Sequence, residues 1–248
     1  MDTSALTEIQ ARLSAADPIE ILRWALETFG SETAVSFSGA EDVALVHLAA
    51  KTGLPFSVFT LDTGRLHEET VQFIADVSER YGVSIEVMRP NAEAVDALVE
   101  AKGLFSFYED GHKECCQIRK VEPLGRALEG RPAWITGQRR DQSPDTRGGL
   151  EVVEEDGTFG LIKINPLTHW SGEQVWALLD AESIPTNPLH AQGFRSIGCE
   201  PCTRPIGPGQ HEREGRWWWE DTAKKECGLH LTVAPEPGWG GLPNDEER

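Results

Sequence analysis

The chain is poor in positive charge: 23 Lys and Arg stand against 41 Asp and Glu in 248 residues, a formal net charge of -18. Acid in such excess repels phosphate backbones and anionic lipid, which excludes nucleic acid or a membrane surface as the main partner. Any anionic substrate must then be met by a local group of Arg and Lys. Long apolar runs are missing too, and no window approaches the roughly 18 to 20 consecutive apolar residues of a membrane-spanning helix. Met1 to Gln10 carries two acids and no base, without the basic start and apolar stretch of a secretory signal. A cytoplasmic protein is therefore expected. Cysteine is sparse, at five residues, and in a reducing compartment such thiols serve metal binding or catalysis rather than disulfides.

What is present suffices for a sizeable core: 39% of the residues are hydrophobic, and at roughly 150 residues per domain the length predicts one large domain without covalent staples. We place that domain at 1–231 and expect 232–248, mostly Pro, Gly and charge, to be a disordered tail.

Asp17-Pro18-Ile19-Glu20 reads as a helix start, with Leu22, Leu26 and Phe29 at helical spacing. Thr33 to Ser38 is a short β-prone run leading through Gly39 into the apolar stretch Val43 to Ala50. Phe56 to Leu61 predicts a second strand, followed by a helix with Val71, Ile74, Val77 and Tyr81 as its inner stripe. Ser84 to Met88 and Ala133 to Thr136 predict two more strands. This alternation indicates an α/β fold, a mostly parallel sheet flanked by helices, with ligands beyond the carboxyl ends of the strands. Glu114 to Leu128 reads as helical, with a caution at Pro123, Arg139 to Gly149 as a mobile polar loop, and Ser171-Gly172-Glu173-Gln174 as a capping box before Val175, Leu178 and Leu179.

The cysteines divide into four and one. Cys115-Cys116 and Cys199-Glu200-Pro201-Cys202 form one set, and Cys227 stands apart in Glu226-Cys227-Gly228-Leu229-His230. Adjacent cysteines have difficulty sharing one small tetrahedral ion, whereas an iron-sulfur cluster offers a separate iron to each thiolate. A four-iron cluster is favoured over zinc, with unrelated buried thiols as the bland alternative. Cys227 lies between Lys224-Lys225 and His230, a setting in which cations favour the thiolate while Glu226 opposes it. The small residues of Ser36-Phe37-Ser38-Gly39-Ala40-Glu41-Asp42 let backbone N–H groups approach an anion. Leu61-Asp62-Thr63-Gly64-Arg65 stands at the corresponding place at the end of the second strand.

Taken together, these segments, with Thr136 to Ser143 and Ile184 to Arg204, resemble the assimilatory sulfonucleotide reductases, in particular the cluster-bearing adenylyl-sulfate (APS) reductases. The resemblance runs from about Asp17 to Leu231. It implies an adenine-nucleotide α-hydrolase-like fold whose C-terminal segment carries the catalytic Cys, with Ser36, Ser38, Gly39 and Asp42 in a modified pyrophosphate loop. Adenylyl sulfate would be attacked by Cys227, AMP would leave, and thioredoxin or a glutaredoxin would release sulfite from the S-sulfocysteine. A [4Fe-4S] cluster on Cys115, Cys116, Cys199 and Cys202 would sit near the substrate. Leu61, Thr63, Gly64 and Gly137 would line the nucleotide site. Lys120 would connect cluster and sulfate, Arg139, Arg140, Arg213 and Arg216 would clamp the anion, and His230 would lie beside the nucleophile. Family habit implies a homo-oligomer.

Reduction of the 3'-phosphorylated substrate, PAPS, is the nearest alternative, but family members that use it generally lack the four extra cysteines. A tRNA thiolase of the same fold should show Ser-Gly-Gly-x-Asp-Ser where this chain has Ser38-Gly39-Ala40-Glu41-Asp42-Val43, and a basic face. A non-catalytic metal-binding module would leave Cys227 and the small-residue loops without purpose.

Overall fold

Short β-prone runs alternating with amphipathic ones build a three-layer arrangement in the computed structural model, which describes residues 3–220. Cys227, His230 and the expected tail lie outside the described residues. Helix α1 (Thr3–Leu13) precedes α2 (Pro18–Phe29), which opens on Asp17: its carboxylate accepts from the Ile19 N–H, and Pro18 fills the first helical position. Then follow β1 (Ala34–Ser36), α3 (Ala40–Thr52), β2 (Ser57–Leu61), α4 (Glu68–Tyr81), β3 (Ile85–Met88) and α5 (Ala92–Lys102). The short α6 (Lys113–Cys116) runs through a π turn, Gln117–Val121, into α7 (Glu122–Leu128) and β4 (Ala133–Ile135). The 3-10 turn Arg140–Gln142 and α8 (Pro144–Arg147) lead to β5 (Val153–Asp156), β6 (Leu161–Ile164) and α9 (Gly172–Ala181).

The sheet order is β3-β2-β1-β4-β6-β5, parallel except for the antiparallel edge strand β5. From β1 the chain steps outward to β3 and returns to the other side at β4. The carboxyl ends of β1 and β4 thus form a topological switch point, where such sheets hold ligands. On one face α2, α3 and α9 bury Leu22, Val43, Val46, Ile135, Ile164, Val175 and Leu179. Helix α3 passes through the core with Val43, Ala44, Leu45 and Val46 all at zero exposure, as an all-round apolar helix must. On the other face α7 packs Leu124 and Leu128 against Phe59 and Trp134.

Three expectations need correction. In α4 the inner residues are Thr70, Phe73 and Val77, while Val71 is 51% exposed and Ile74 and Tyr81 are half-buried. The phase is set by Phe73, whose ring packs 5.8 Å from that of Phe37. The stretch 139–149 is not irregular throughout: it holds a 3-10 turn and α8, and Arg139 at its start is buried. Pro123 does not stop the helix, because it falls in the first turn of α7 just past the π turn, where the Glu122 N–H donates to the Gln117 carbonyl. A proline N–H is not needed there.

Candidate active site: a nucleotide-sized cleft sharing a wall with four thiols

Beyond the carboxyl ends of β1, β2 and β4 lies an open cleft. Ser36 to Asp42 line one side, Leu61 and Thr63 the next, and Thr136 to Gln138 a third. Asp42 lines the cleft and shapes this loop. Its carboxylate accepts from the Ser38 N–H and hydroxyl (both 2.8 Å), from the Gly39 N–H (3.0 Å) and from the Gly137 N–H (3.1 Å). Burial, opposed by these donors and reinforced by Glu41, pushes Asp42 up to about 6. Gly137 is obligatory for the approach of β4 to α3, since a Cβ there would stand 2.6 Å from the Glu41 Cβ.

Lys120, Arg147, Arg195, Arg213 and Arg216 also line the cleft, so cations missing from the chain as a whole are gathered here. Arg216 is buried, donates to the Ser196 hydroxyl and the Ile197 carbonyl, and lies 4.6 Å over the Trp217 ring. Gly198 leaves room for it, because a Cβ would collide with that guanidinium. Lys120, also buried, has its ammonium 5.7 Å from the centre of the Trp217 ring. Trp217 is fully buried, stacks 4.2 Å on His112, and adopts φ 41°, a strained value for a bulky residue.

Behind this wall a second, small cavity is lined by Cys115, Cys116, Cys199 and Cys202 with Phe107, His112, Arg65, Arg119 and Lys120. The first pair comes from α6. The second sits in the 3-10 turn Glu200–Cys202 and its cap, pinned to the segment after β2 by the Glu200 N–H on the Arg65 carbonyl (2.8 Å) and by the Leu66–Cys199 bridge. Thr63 Oγ1 lies 3.2 Å from Cys199 Sγ. Burial raises Cys115, and burial with the nearby Cys199 pushes Cys202 up to about 12. Cys199 is held low: burial acts upward, but Lys120, the Thr63 hydroxyl and Arg216 outweigh it. Among the described residues no three His, Cys, Asp or Glu side chains are grouped as a single-ion site. Four thiols line one void with three cations in the same wall, a donor set of the kind that an iron-sulfur group takes.

The residue profile of the phosphoadenosine phosphosulfate reductase domain matches residues 32–205. The chain belongs to that family. It is 58% identical over 238 residues to a probable 5'-adenylylsulfate reductase 1, chloroplastic, of Oryza sativa subsp. japonica, covering 93% of this chain and 50% of the relative. It is 54% identical over 230 residues to an adenosine 5'-phosphosulfate reductase of Pseudomonas aeruginosa (strain LESB58), covering 91% and 86%. Among solved structures, a phosphoadenylyl-sulfate (PAPS) reductase from Candida auris superposes with a TM-score of 0.71 at 27% identity over 82% of this chain and 98% of that one. The chain thus spans about half the length of the plant relative. The family's fold is the adenine-nucleotide α-hydrolase-like arrangement expected from the sequence.

Within the described residues the structure brings together Ser36, Ser38, Gly39, Asp42, Leu61, Thr63, Gly137, Lys120, Arg213 and Arg216 on one cleft. It does not bring Arg139, Arg140 or Gly64 to the cleft lining. Arg139 is 1% exposed and spends its donors on Glu41, Asp141 and Glu212. Arg140 turns outward to the Leu150 carbonyl and Glu151. Gly64 provides the turn after β2 at φ 69° and lies beside Arg119. The sequence reading missed Arg147, Arg195, Gln138 and His190 in the cleft and Arg119 at the thiols, and it put Arg65 with the nucleotide loops rather than at the thiols. Arg119, adjacent to Lys120 and three residues past Cys116, was the one with a readable signal.

Proposed function

We propose that the protein reduces adenylyl sulfate to sulfite and AMP in sulfate assimilation, with thioredoxin or a glutaredoxin as reductant. The observation that carries this reading is that Lys120 and Cys199 line both the nucleotide-sized cleft and the four-thiol cavity. An anion bound at the loop after β1 would extend toward that shared wall. There Lys120, Arg213 and Arg216 would take up its sulfate and phosphate oxygens, as forked guanidinium groups do well. Leu61, Thr63 and Gly137 would border the adenosine.

Cys115, Cys116, Cys199 and Cys202 would hold a [4Fe-4S] cluster. When bound, that cluster would supply a fixed electrostatic environment beside the sulfate. Cys227 would act as nucleophile, its thiolate attacking the sulfate sulfur while the S–O bond breaks and AMP leaves with the electron pair. His230 would lie beside it. A thiolate of the reductant would then attack the Cys227 sulfur, free sulfite and leave a mixed disulfide that the reductant's second thiol resolves. The setting would be a reducing one such as the cytoplasm, and the working form a homo-oligomer.

The test is sulfite release by anaerobically purified protein with thioredoxin, offered adenylyl sulfate and PAPS in parallel. Strong preference for adenylyl sulfate is expected, and equal use would make the enzyme bifunctional. Cys227→Ser should keep its iron and bind adenylyl sulfate yet form no sulfite; appreciable turnover by that variant would sink the nucleophile assignment.

A further inference from the structure

The buried guanidinium of Arg139 does not reach the cleft, yet it touches three segments that build it. Its Nε and Nη2 donate to Glu41 Oε1 (3.2 and 2.9 Å), in the first turn of α3 directly after the anion loop. Its Nη1 donates to Asp141 (3.1 Å), whose same oxygen accepts the Gly172 N–H at the start of α9 (3.1 Å). Its Nη2 also reaches both oxygens of Glu212 (3.2 and 3.0 Å). Glu212 immediately precedes Arg213 and lies four residues before Arg216. The network extends to a third cleft cation: Gln142 Nε2 donates to Glu41 Oε1 (2.9 Å), and Gln142 Oε1 accepts from the Arg139 N–H (3.2 Å) and from the Arg147 side chain.

We propose that Arg139 is a positioning residue that ties the 211–216 segment to the anion loop, so that Arg213 and Arg216 are held facing the substrate before it binds. This rests on the reading of the cleft as a sulfonucleotide site. One planar fork is suited to the task, because it meets carboxylates arriving from three directions at fixed angles, which a single ammonium cannot do. Without the guanidinium, Glu41 and Glu212 would face each other as like charges in a half-buried setting and drive the segment outward. Glu41, which stands in the anion loop where it would repel a ligand's phosphates, is thereby neutralised and turned to structural use. A preformed pair of arginines binds more tightly because less ordering is left to the moment of association.

Two variants of the full, iron-loaded chain test this. Arg139→Met removes the fork, and Glu212→Ala releases only the 211–216 segment while leaving Arg139 paired with Glu41 and Asp141, so the fold is retained if the first variant is too damaged to use. Both should raise KM for adenylyl sulfate about tenfold or more with kcat changed less than about threefold. Without any substrate, trypsin should cut after Arg213 or Arg216 about tenfold faster than in the parent, read as fragments by mass spectrometry. A lowered melting temperature with KM unmoved, or cleavage unchanged in Glu212→Ala, would overturn the proposal. If the parent itself makes no sulfite from adenylyl sulfate, the reading of the activity falls, and the cleavage rates still decide whether the tie exists.

Discussion

Asp42 is a carboxylate that the cleft has desolvated, and its titration gives a residue-scale prediction. Its folded-state value of about 6 lies above the ordinary 3.8 because burial outweighs four donated hydrogen bonds. The folded protein therefore holds this proton to a higher pH than the unfolded chain does. The stability this contributes is complete below about pH 4 and is lost as pH rises to about 6, on the order of 3 kcal/mol in all. Asp42→Asn cannot titrate and lacks part of the acceptor set. The melting temperature of the parent should thus exceed that of the variant by more at pH 4.5 than at pH 7.5; a gap that widens with pH would contradict the burial argument. Single residues were legible where chemistry alone marks them, as with the paired cysteines, Ser38 and Gly39, whereas Lys120 was marked only by the family resemblance. They were illegible where a charge could turn either way. Arg139 and Arg140 looked alike in the chain, but the 3-10 turn sends one inward to carboxylates and the other outward, and leaves Arg147, eight residues on from Arg139, in the cleft.

Elements were readable where caps and periodicity agree. Ser171 accepts from the Gln174 N–H (3.2 Å) while Gln174 returns a bond to the Ser171 N–H (2.8 Å), as the capping box predicts. Helix α9 buries Val175 and Leu179 against the sheet and begins at the Asp141 carboxylate. Ser171→Ala should destabilise the protein by about 1 kcal/mol, measured by denaturant unfolding. Because the start of α9 also touches the Arg139 network, a loss of stability well below that figure would mean that Asp141 caps the helix unaided. The β5–β6 hairpin escaped the sequence reading. Glu154 and Lys163 break the apolar pattern, and only the fold reveals that Lys163 is buried in an ion pair with Glu154 (3.0 Å), its ammonium 5.9 Å over the Trp134 ring. Helix α5 escaped for another reason: none of its residues is buried, so no strong stripe was there to find.

At the scale of the whole molecule, the two halves of the cysteine set lie on either side of the sheet-building stretch from β4 to α9, with 82 residues between Cys116 and Cys199. A group held by all four thiols would close that long loop and constrain the unfolded chain as a cross-link does. If the thiols hold such a group and the proposed activity is right, removing iron with a chelator under anaerobic conditions should lower the melting temperature by several degrees and abolish sulfite formation together; an unchanged melting temperature would show that the thiols do not hold the group. The overall α/β plan was visible in the alternation of strands and helices, whereas the convergence of α6, the 199–202 turn and Trp217 depends on long-range packing that no local pattern encodes. The π turn between Cys116 and Glu122 has one more consequence. It places one extra residue within a helical run, so the cysteine pair and α7 are out of step by one position. Removing any residue of Gln117–Val121 would let the run close as ordinary α-helix, turning everything beyond it by about 100° and drawing it in by about 1.5 Å relative to the pair. In this stretch the count of residues is itself under constraint, and side chains can be exchanged where length cannot.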